Sequence, residues 1–191
     1  LFVLNEVLNL QRYNNLPGFE EATPELLEAI LGECAKLCEE VLQPLNHSGD
    51  VEGCTRHDDG SVTTPKGFKQ AFEAYKQGGW MGLSADPEYG GQGLPYALHS
   101  AVGEYLSSAN MAFSMYPGLT QGAIAAIQVH GTPEQKQTWL PKMIEGRWTG
   151  TMNLTEPHCG TDLGMLRTRA VPAGDGSYKI SGQKIFISAG E

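Results

Sequence analysis

An α+β fold is predicted by three features of this sequence. Apolar residues recur at helical spacing up to about residue 147, several of these stretches begin with capping signals, and short β-branched segments separated by turn residues follow from Trp148. We therefore expect an all-helical domain over residues 1–147 and the start of an antiparallel β domain over residues 148–191.

The helical part begins with apolar residues at helical spacing in residues 1–10, which predict a short helix. Thr23 followed by Pro24 is a helix start signal, because it combines a capping side chain with a proline at the first helical position. The apolar stripe behind it continues to Pro44, where we expect the helix to end. Residues 46–64 are polar and rich in Gly and Asp, so they predict a long surface loop.

The aromatic residues Phe68, Phe72 and Tyr75 fall on one helical face and predict a helix that packs through that face. The Gly-rich residues 87–93 follow it. They do not connect a strand to a helix, so they match neither a dinucleotide-binding fingerprint nor a P-loop, and we interpret them as a turn.

Three more helices are predicted before the β segments. Residues 95–108 and 118–130 have helical character, and the second stretch is rich in Ala and Gly. Small residues let another helix or a ligand approach closely, although a tightly packed buried helix is the more common reason for them. Thr132 begins a capping box, and its helix is expected to reach Gly146 with a bend at Pro141.

The β character is concentrated near the C-terminal end. A hairpin turn is predicted at Gly174-Asp175-Gly176 and a second turn at Ser181-Gly182-Gln183. The predicted strand segments are residues 148–155, 165–171, 177–180 and 184–188.

Composition is that of a globular protein and excludes several functional classes. The chain has 191 residues, 40% of them hydrophobic, and 22 acidic against 13 basic residues give a formal net charge of −9. Because nucleic-acid binding requires clustered positive charge, this acidic chain is not expected to bind nucleic acid. It contains no uncharged apolar stretch of about 18 residues, so we expect no membrane span and an intracellular protein.

Both termini have the appearance of points inside a longer chain. The sequence starts at Leu1 rather than Met and stops shortly after the apolar run Ile185-Phe186-Ile187, where a sheet needs a partner strand. We expect a fragment, with an open strand edge at Phe186 that favours self-association.

Four cysteines are too few for disulfide bonds to stabilise a chain of this size, so free thiols are expected. Cys34 and Cys38 lie one helical turn apart, with Cys54 and His57 nearby, which raises the question of a zinc site. Because the first two lie on an apolar helical stripe and the spacing resembles no common zinc framework, we expect no metal site.

The segment from Met152 to Asp162 leaves a predicted strand and enters a loop with Pro157 and Gly160. Its backbone amides and the hydroxyls of Thr155 and Thr161 stand where they can meet a polar ligand. Composition alone still favours a structural loop.

Four motifs in order and register resemble the acyl-CoA dehydrogenase family. They are P-E-Y-G-G-Q-G at 87–93, G-T-P-E-Q-K-Q-T-W-L-P at 131–141, L-T-E-P-H-C-G-T-D at 154–162 and S-G-Q-K-I-F-I-S-A-G at 181–190. The long loop 46–64 and the additional N-terminal helix resemble the longer subfamily that includes 3-methylmercaptopropionyl-CoA dehydrogenases.

The resemblance implies a middle β domain and a C-terminal helical bundle that this chain lacks, with FAD bound between them. Thr155 is placed to hydrogen-bond the flavin, and Thr161 also matches a position that meets the CoA part of the substrate. Phe186 and Ser188 stand where the family usually has Trp and Thr, so the aromatic face and the hydroxyl are kept while the indole N–H is lost. The cofactor-binding residues implied are Met152, Leu154, Thr155, Gly160, Thr161, Phe186 and Ser188.

The implied reaction is desaturation of an acyl-CoA thioester, in which a proton leaves one carbon and a hydride from the next reaches the flavin. The family's base is a Glu beyond the β domain, so this chain contains no catalytic residue and is expected to be inert alone. Glu156 is assigned a structural role. His158 and Cys159 replace small residues of the family loop, and we interpret them as loop residues near the cofactor rather than as a catalytic or reactive pair.

The resemblance further implies electron-transfer flavoprotein or a similar acceptor as a partner, a homo-oligomer, and a cytoplasmic location, or the mitochondrial matrix in a eukaryote. Two alternatives keep the same fold. One is a non-catalytic helical interaction module, and the other is a flavin oxidase that uses oxygen or oxidises nitroalkanes.

Overall fold

The computed structural model describes residues 1–189, in which an α-helical part precedes a β-hairpin, as the sequence predicts for an α+β fold. Gly190 and Glu191, the last residues of the predicted β domain, lie outside the described residues. The helices are α1 (Pro24–Lys36), α2 (Gln43–Glu52), α3 (Phe68–Gln77), α4 (Tyr96–Ala109), α5 (Met111–His130) and α6 (Pro133–Ile144). The strands are β1 (Thr55–Arg56), β2 (Val62–Thr63), β3 (Arg169–Pro172) and β4 (Tyr178–Ser181).

The start of the chain forms a π-helical turn at Val3–Val7 and a 3-10 turn at Leu10–Tyr13. The short helix predicted over residues 1–10 is therefore present only as the π-helical turn, and the 3-10 turn lies at its end and beyond it. Each buries one leucine, Leu4 and Leu10, against the helical core.

Helix α1 begins as predicted. The Thr23 hydroxyl accepts a hydrogen bond of 3.3 Å from the Leu26 N–H, and Pro24 occupies the first turn. Leu27, Leu31 and Cys34 are buried on its inner face, so the predicted apolar stripe is the face that packs.

The expected helix end at Pro44 is wrong. A π-helical turn, Leu37–Leu42, follows α1, and the Gln43 N–H reaches the Cys38 carbonyl five residues earlier. Pro44 then lies in the first turn of α2, where its missing N–H is tolerated. The wider π register also relieves crowding between the proline ring and the preceding turn, so the chain remains helical to Glu52.

The predicted surface loop over residues 46–64 is consequently wrong for its first part. Gly53, with φ of 66°, ends α2, and β1 and β2 form a small antiparallel hairpin in the second part. The helical stretch has polar residues on its outer side, which is why composition alone indicates a loop.

The predicted aromatic face of α3 is confirmed. Tyr75 is buried and contacts Phe113 edge-on at 5.9 Å, while Phe72 meets Tyr116 at 5.2 Å and 89°. Both partners lie on α5, so these rings connect two helices that are distant in sequence.

Helix α5 begins seven residues before its predicted start at residue 118. Asn110 caps it by accepting a hydrogen bond of 3.0 Å from the Phe113 N–H, and Pro117 lies buried inside it. A proline inside a helix removes one backbone hydrogen bond, and packing of α5 between α4 and α6 stabilises the helix despite that loss. The predicted capping box of α6 is confirmed, since Thr132 and Gln135 exchange side chain to backbone hydrogen bonds of 3.2 and 2.9 Å.

The β region agrees with prediction in its centre and differs at its ends. Strands β3 and β4 pair from Arg169 opposite Ser181 to Pro172 opposite Tyr178, around a turn in which Gly174 and Gly176 have positive φ. Residues 148–155 and 184–188 are not strands. They form a single antiparallel bridge, between Met152 and Ser188.

Within the predicted strand 165–171, pairing begins only at Arg169, and Met165 ends a 3-10 turn. Leu163–Met165 form a 3-10 turn, because the Asp162 carboxylate accepts a hydrogen bond of 3.1 Å from the Gly164 N–H. Among the described residues, no helix combines the length and apolarity needed to cross a bilayer.

Candidate functional site

The two segments predicted to hold a cofactor lie side by side. The Met152 N–H donates to the Ser188 carbonyl at 3.4 Å, and the Thr151 hydroxyl donates to the same carbonyl. Farther along, the Ile185 N–H donates to the Thr155 carbonyl at 3.0 Å. The tertiary structure thus brings together residues that are far apart in sequence.

The candidate site is an open face. Met152, Leu154, Phe186 and Ser188 are exposed, and Phe186 is the extreme case at 83%. Phe186 also has a φ of 52°, a left-handed conformation that a bulky residue rarely adopts. That backbone turn explains why the predicted strand over residues 184–188 does not form.

Gly160 lies against Thr155. A Cβ at Gly160 would stand 3.3 Å from Thr155 Cγ2 and 3.8 Å from its hydroxyl oxygen. Thr155 is half-buried and Thr161, the next residue after Gly160, is exposed. All seven predicted cofactor residues therefore belong to one region, formed by residues 151–161 and 184–188.

Glu156 is the buried polar centre of this region, with 2% of its surface exposed. Its Oε2 accepts a hydrogen bond of 2.8 Å from the Arg167 N–H, and its Oε1 accepts 2.9 Å bonds from the Thr168 N–H and the Lys184 ammonium. These donors hold the pKa of the Glu156 carboxyl far below its usual range. A carboxylate engaged in this way is a structural anchor and not a free base.

Glu156, His158 and Cys159 place three potential metal ligands within 4.8 Å of one another. The His158 Nε2, however, lies 2.9 Å from the Met165 carbonyl, which makes it a hydrogen-bond donor there. The Glu156 carboxylate already carries three donors, one of them the cationic Lys184. This chemistry disfavours a cation at the cluster.

The three cysteines considered for a zinc site differ in burial. Cys34 and Cys38 are buried in the helical core, and Cys54 is exposed. They are not part of a metal-ligating cluster within residues 1–189.

A cavity of about 720 Å³ between α4 and α5 was not predicted. A Cβ added at Gly103, Gly118 or Gly122 would meet no atom within 4 Å, so the missing side chains of these glycines help to create the space. The signal available in the sequence was the high content of Ala and Gly in residues 118–130. Residues of its wall include Gly103, Ser107, Ser114, Gly118, Gln121 and Gly122.

Polar groups in the cavity wall are mostly paired. The Gln128 Nε2 donates to Asp86 at 2.7 Å, and the hydroxyls of Ser107 and Ser114 lie 3.2 Å apart. His99 also lines the cavity, and its Nδ1 is enclosed without a hydrogen-bond partner among the described residues. Burial lowers the pKa of His99, so its imidazole is kept neutral.

Comparison with known proteins agrees with the motif resemblance. Residues 24–147 match the family described as "Acyl-CoA dehydrogenase, N-terminal domain". The chain is 42% identical over 191 residues to a 3-methylmercaptopropionyl-CoA dehydrogenase of Ruegeria pomeroyi, covering 100% of this chain and 32% of that protein. It is 34% identical over 191 residues to a butyryl-CoA dehydrogenase of Syntrophomonas wolfei, covering 98% of this chain and 30% of that protein.

The crystal structure of an acyl-CoA dehydrogenase from Geobacillus kaustophilus superposes with a TM-score of 0.72 at 26% identity, over 87% of this chain and 40% of that one. This chain therefore spans about a third of the length of the curated relatives and less than half of the solved structure.

Proposed function

The chain belongs to the acyl-CoA dehydrogenase family, and from that premise we propose that the protein containing it is an FAD-dependent enzyme that desaturates an acyl-CoA thioester between its α and β carbons. The bridge between Met152 and Ser188 carries the proposal, because it sets the two predicted flavin segments beside each other. Residues 1–147 would act as the helical domain, and residues 148–191 as the start of the β domain.

The residues present fit the flavin. Gly160 leaves room beside Thr155, so the Thr155 hydroxyl can hydrogen-bond the ring system while the backbone of Gly160 and Thr161 approaches the pyrophosphate. The exposed ring of Phe186 offers an apolar face, and Ser188 offers a hydroxyl. When bound, FAD accepts the hydride that leaves the substrate.

The substrate's two ends would meet different parts of the chain. Thr161 is proposed to contact the CoA moiety. The cavity between α4 and α5 is of a size that small-molecule sites commonly have, and its largely apolar wall suits an acyl chain. Glu156 cannot remove the α-proton because its carboxylate is committed to Arg167, Thr168 and Lys184. We propose that the base comes from a part of the protein outside this chain, which would then be inert alone.

We extend the proposal to partners and location. Electron-transfer flavoprotein or a similar acceptor would reoxidise the flavin, the protein would be a homo-oligomer, and it would work in the cytoplasm. The relatives named above make 3-methylmercaptopropionyl-CoA and butyryl-CoA the first thioesters to test.

The test is the visible absorption spectrum of the full-length protein, purified without added cofactor and then mixed anaerobically with a panel of acyl-CoA thioesters. We expect flavin bands that are bleached by at least one thioester. A colourless protein that binds no added FAD would overturn the proposal and favour a non-catalytic interaction module. A flavin that is bleached but reoxidises rapidly in air would identify an oxidase instead.

A further inference from the structure

Lys184 connects the two segments proposed to hold the flavin. Its ammonium donates one hydrogen bond of 2.9 Å to the Leu154 carbonyl and another of 2.9 Å to Glu156 Oε1. Leu154 belongs to the first segment, whereas Lys184 directly precedes Ile185 and Phe186 of the second. The Lys184 side chain therefore joins the two segments through its hydrogen bonds.

Glu156, the partner of Lys184 in this connection, is itself fixed by further hydrogen bonds. The Glu156 carboxylate is buried and also accepts hydrogen bonds from the backbone N–H groups of Arg167 and Thr168, just before β3. Lys184 is itself only 20% exposed, so water competes weakly for its ammonium. A hydrogen bond between charged groups in such surroundings is stronger than one on the surface.

The position of Phe186 depends on the residues just before it. The Ile185 N–H donates to the Thr155 carbonyl at 3.0 Å, and Phe186 then turns with a positive φ. A displacement of Lys184 would move this turn relative to Thr155, since only Ile185 separates Lys184 from Phe186. The geometry of the proposed flavin contacts therefore depends on Lys184, a residue that is not itself assigned a contact with the flavin.

We propose that Lys184 is a positioning residue, whose bonds to Leu154 and Glu156 set the separation of Thr155 from Phe186 and thereby the affinity for FAD. This inference rests on the function proposed above. Lys184 is not assigned a contact with the flavin, and its role is exerted through Glu156 and the backbone of Leu154.

The experiment compares FAD affinity among variants of the full-length apoprotein by titration with FAD and flavin fluorescence. Lys184→Met should weaken FAD binding about tenfold or more, because FAD binding would then have to restore the separation of the two segments, at a cost comparable to the charged hydrogen bond that held it. Lys184→Arg, which keeps the charge and the donors, should restore most of the affinity. Lys179→Met, at an exposed position of β4, is the matched control and should bind FAD like the unmodified protein.

Lys184→Met leaves Glu156 buried without its cation, so the double variant K184M/E156Q, which removes both charges together, is measured beside it. Weak FAD binding by both variants, each with an unchanged circular dichroism spectrum, supports the inference. Unchanged affinity in either folded variant would overturn it while leaving the proposed function intact. If the unmodified protein binds no FAD, the proposed function fails, and the inference fails with it.

Discussion

The hydroxyl of Thr120, buried in the middle of α5, accepts a hydrogen bond of 3.0 Å from the backbone N–H of Gly150. Gly150 packs so closely on α5 that a Cβ there would stand 2.8 Å from the Cβ of Ala123. The chain leaves the helical part at this contact and enters the segment that carries Thr155. The contact therefore ties the proposed flavin region to the helix that forms one wall of the cavity.

Replacing Thr120 by Val should destabilise the protein, because the buried Gly150 N–H would lose its acceptor while the volume stays nearly constant. The expected loss is about 1–3 kcal/mol of unfolding free energy, measured by urea or thermal unfolding. Thr120→Ser should recover most of it. Thr138→Val, at an exposed position of α6, is the control and should change stability by less than about 0.5 kcal/mol. Equal effects of the two Val variants would contradict the role given to the Gly150 bond.

Gly91→Ala should be strongly destabilising, because the added Cβ would collide with the backbone carbonyl of Ala85. That carbonyl also accepts the Gly93 N–H at 3.0 Å, so neither side of the turn is free to move away. We expect a loss of about 3 kcal/mol or more in unfolding free energy, in the range of overpacking in a closed site.

The matched control is Gly32→Ala in α1, where a Cβ would meet no atom within 4 Å. Alanine is favoured over glycine inside helices by roughly 0.5–1 kcal/mol, so this variant should be stabilised. Thermal midpoints of the two variants should consequently move in opposite directions. A small effect of Gly91→Ala would show that the turn over residues 87–93 can rearrange.

His99 should make stability depend on pH in the mildly acidic range. Burial lowers the pKa of His99 from its ordinary value of 6.5, so below that pH the unfolded chain binds a proton that the folded protein resists. The free energy of unfolding must then fall as the pH drops below 6.5, until the pKa of the folded state is passed.

His99→Gln should remove this part of the pH dependence, as seen in unfolding midpoints measured from about pH 7.5 to 5. His47→Gln, at an exposed position of α2, serves as the control and should leave the slope unchanged. Parallel curves for the His99 variant and the unmodified protein would contradict the enclosed, neutral imidazole.

Gly122→Leu should shorten the acyl chains that the full-length enzyme accepts. A Cβ at Gly122 meets no atom within 4 Å and faces the cavity between α4 and α5, so a leucine side chain there would fill part of the cavity. We expect kcat/KM for long thioesters to fall about tenfold or more while short thioesters are less affected, since a few lost methylene contacts cost that much.

Gly32→Leu, which also projects into open space but lies on α1 away from the cavity, should leave the chain-length profile unchanged. The profile is measured by steady-state kinetics with a series of thioesters. Uniform loss across all chain lengths in the Gly122 variant would indicate a structural effect rather than a filled cavity.

The sequence by itself determined the features that depend on a few neighbouring residues. The capping of α1 by Thr23 and of α6 by Thr132 and the turn between β3 and β4 involve contacts between residues close in sequence, and the aromatic face of α3 follows from its helical period. Side-chain period and capping chemistry are local, so they can be read before the fold is known. The family resemblance likewise rested on short motifs.

Tertiary structure decided what local signals left open or contradicted. The sequence predicts a helix end at Pro44 and a helix that starts only at residue 118, yet a π-helical turn accommodates Pro44, and packing between neighbouring helices stabilises α5 around Pro117. Residues 184–188 have strand composition, yet they make only the Met152–Ser188 bridge and the hydrogen bond from Ile185 to Thr155, because Phe186 between these contacts has a positive φ.

In the candidate site, too, some features follow from local sequence and others only from the tertiary structure. The sequence identified Thr155 and Phe186 through motifs, but not the cavity between α4 and α5 or the bond from Lys184 to Glu156. A cavity depends on which helices become neighbours, and the strength of an ion pair depends on burial from water. Both are properties of the packed chain, because they are set by residues that only folding brings together.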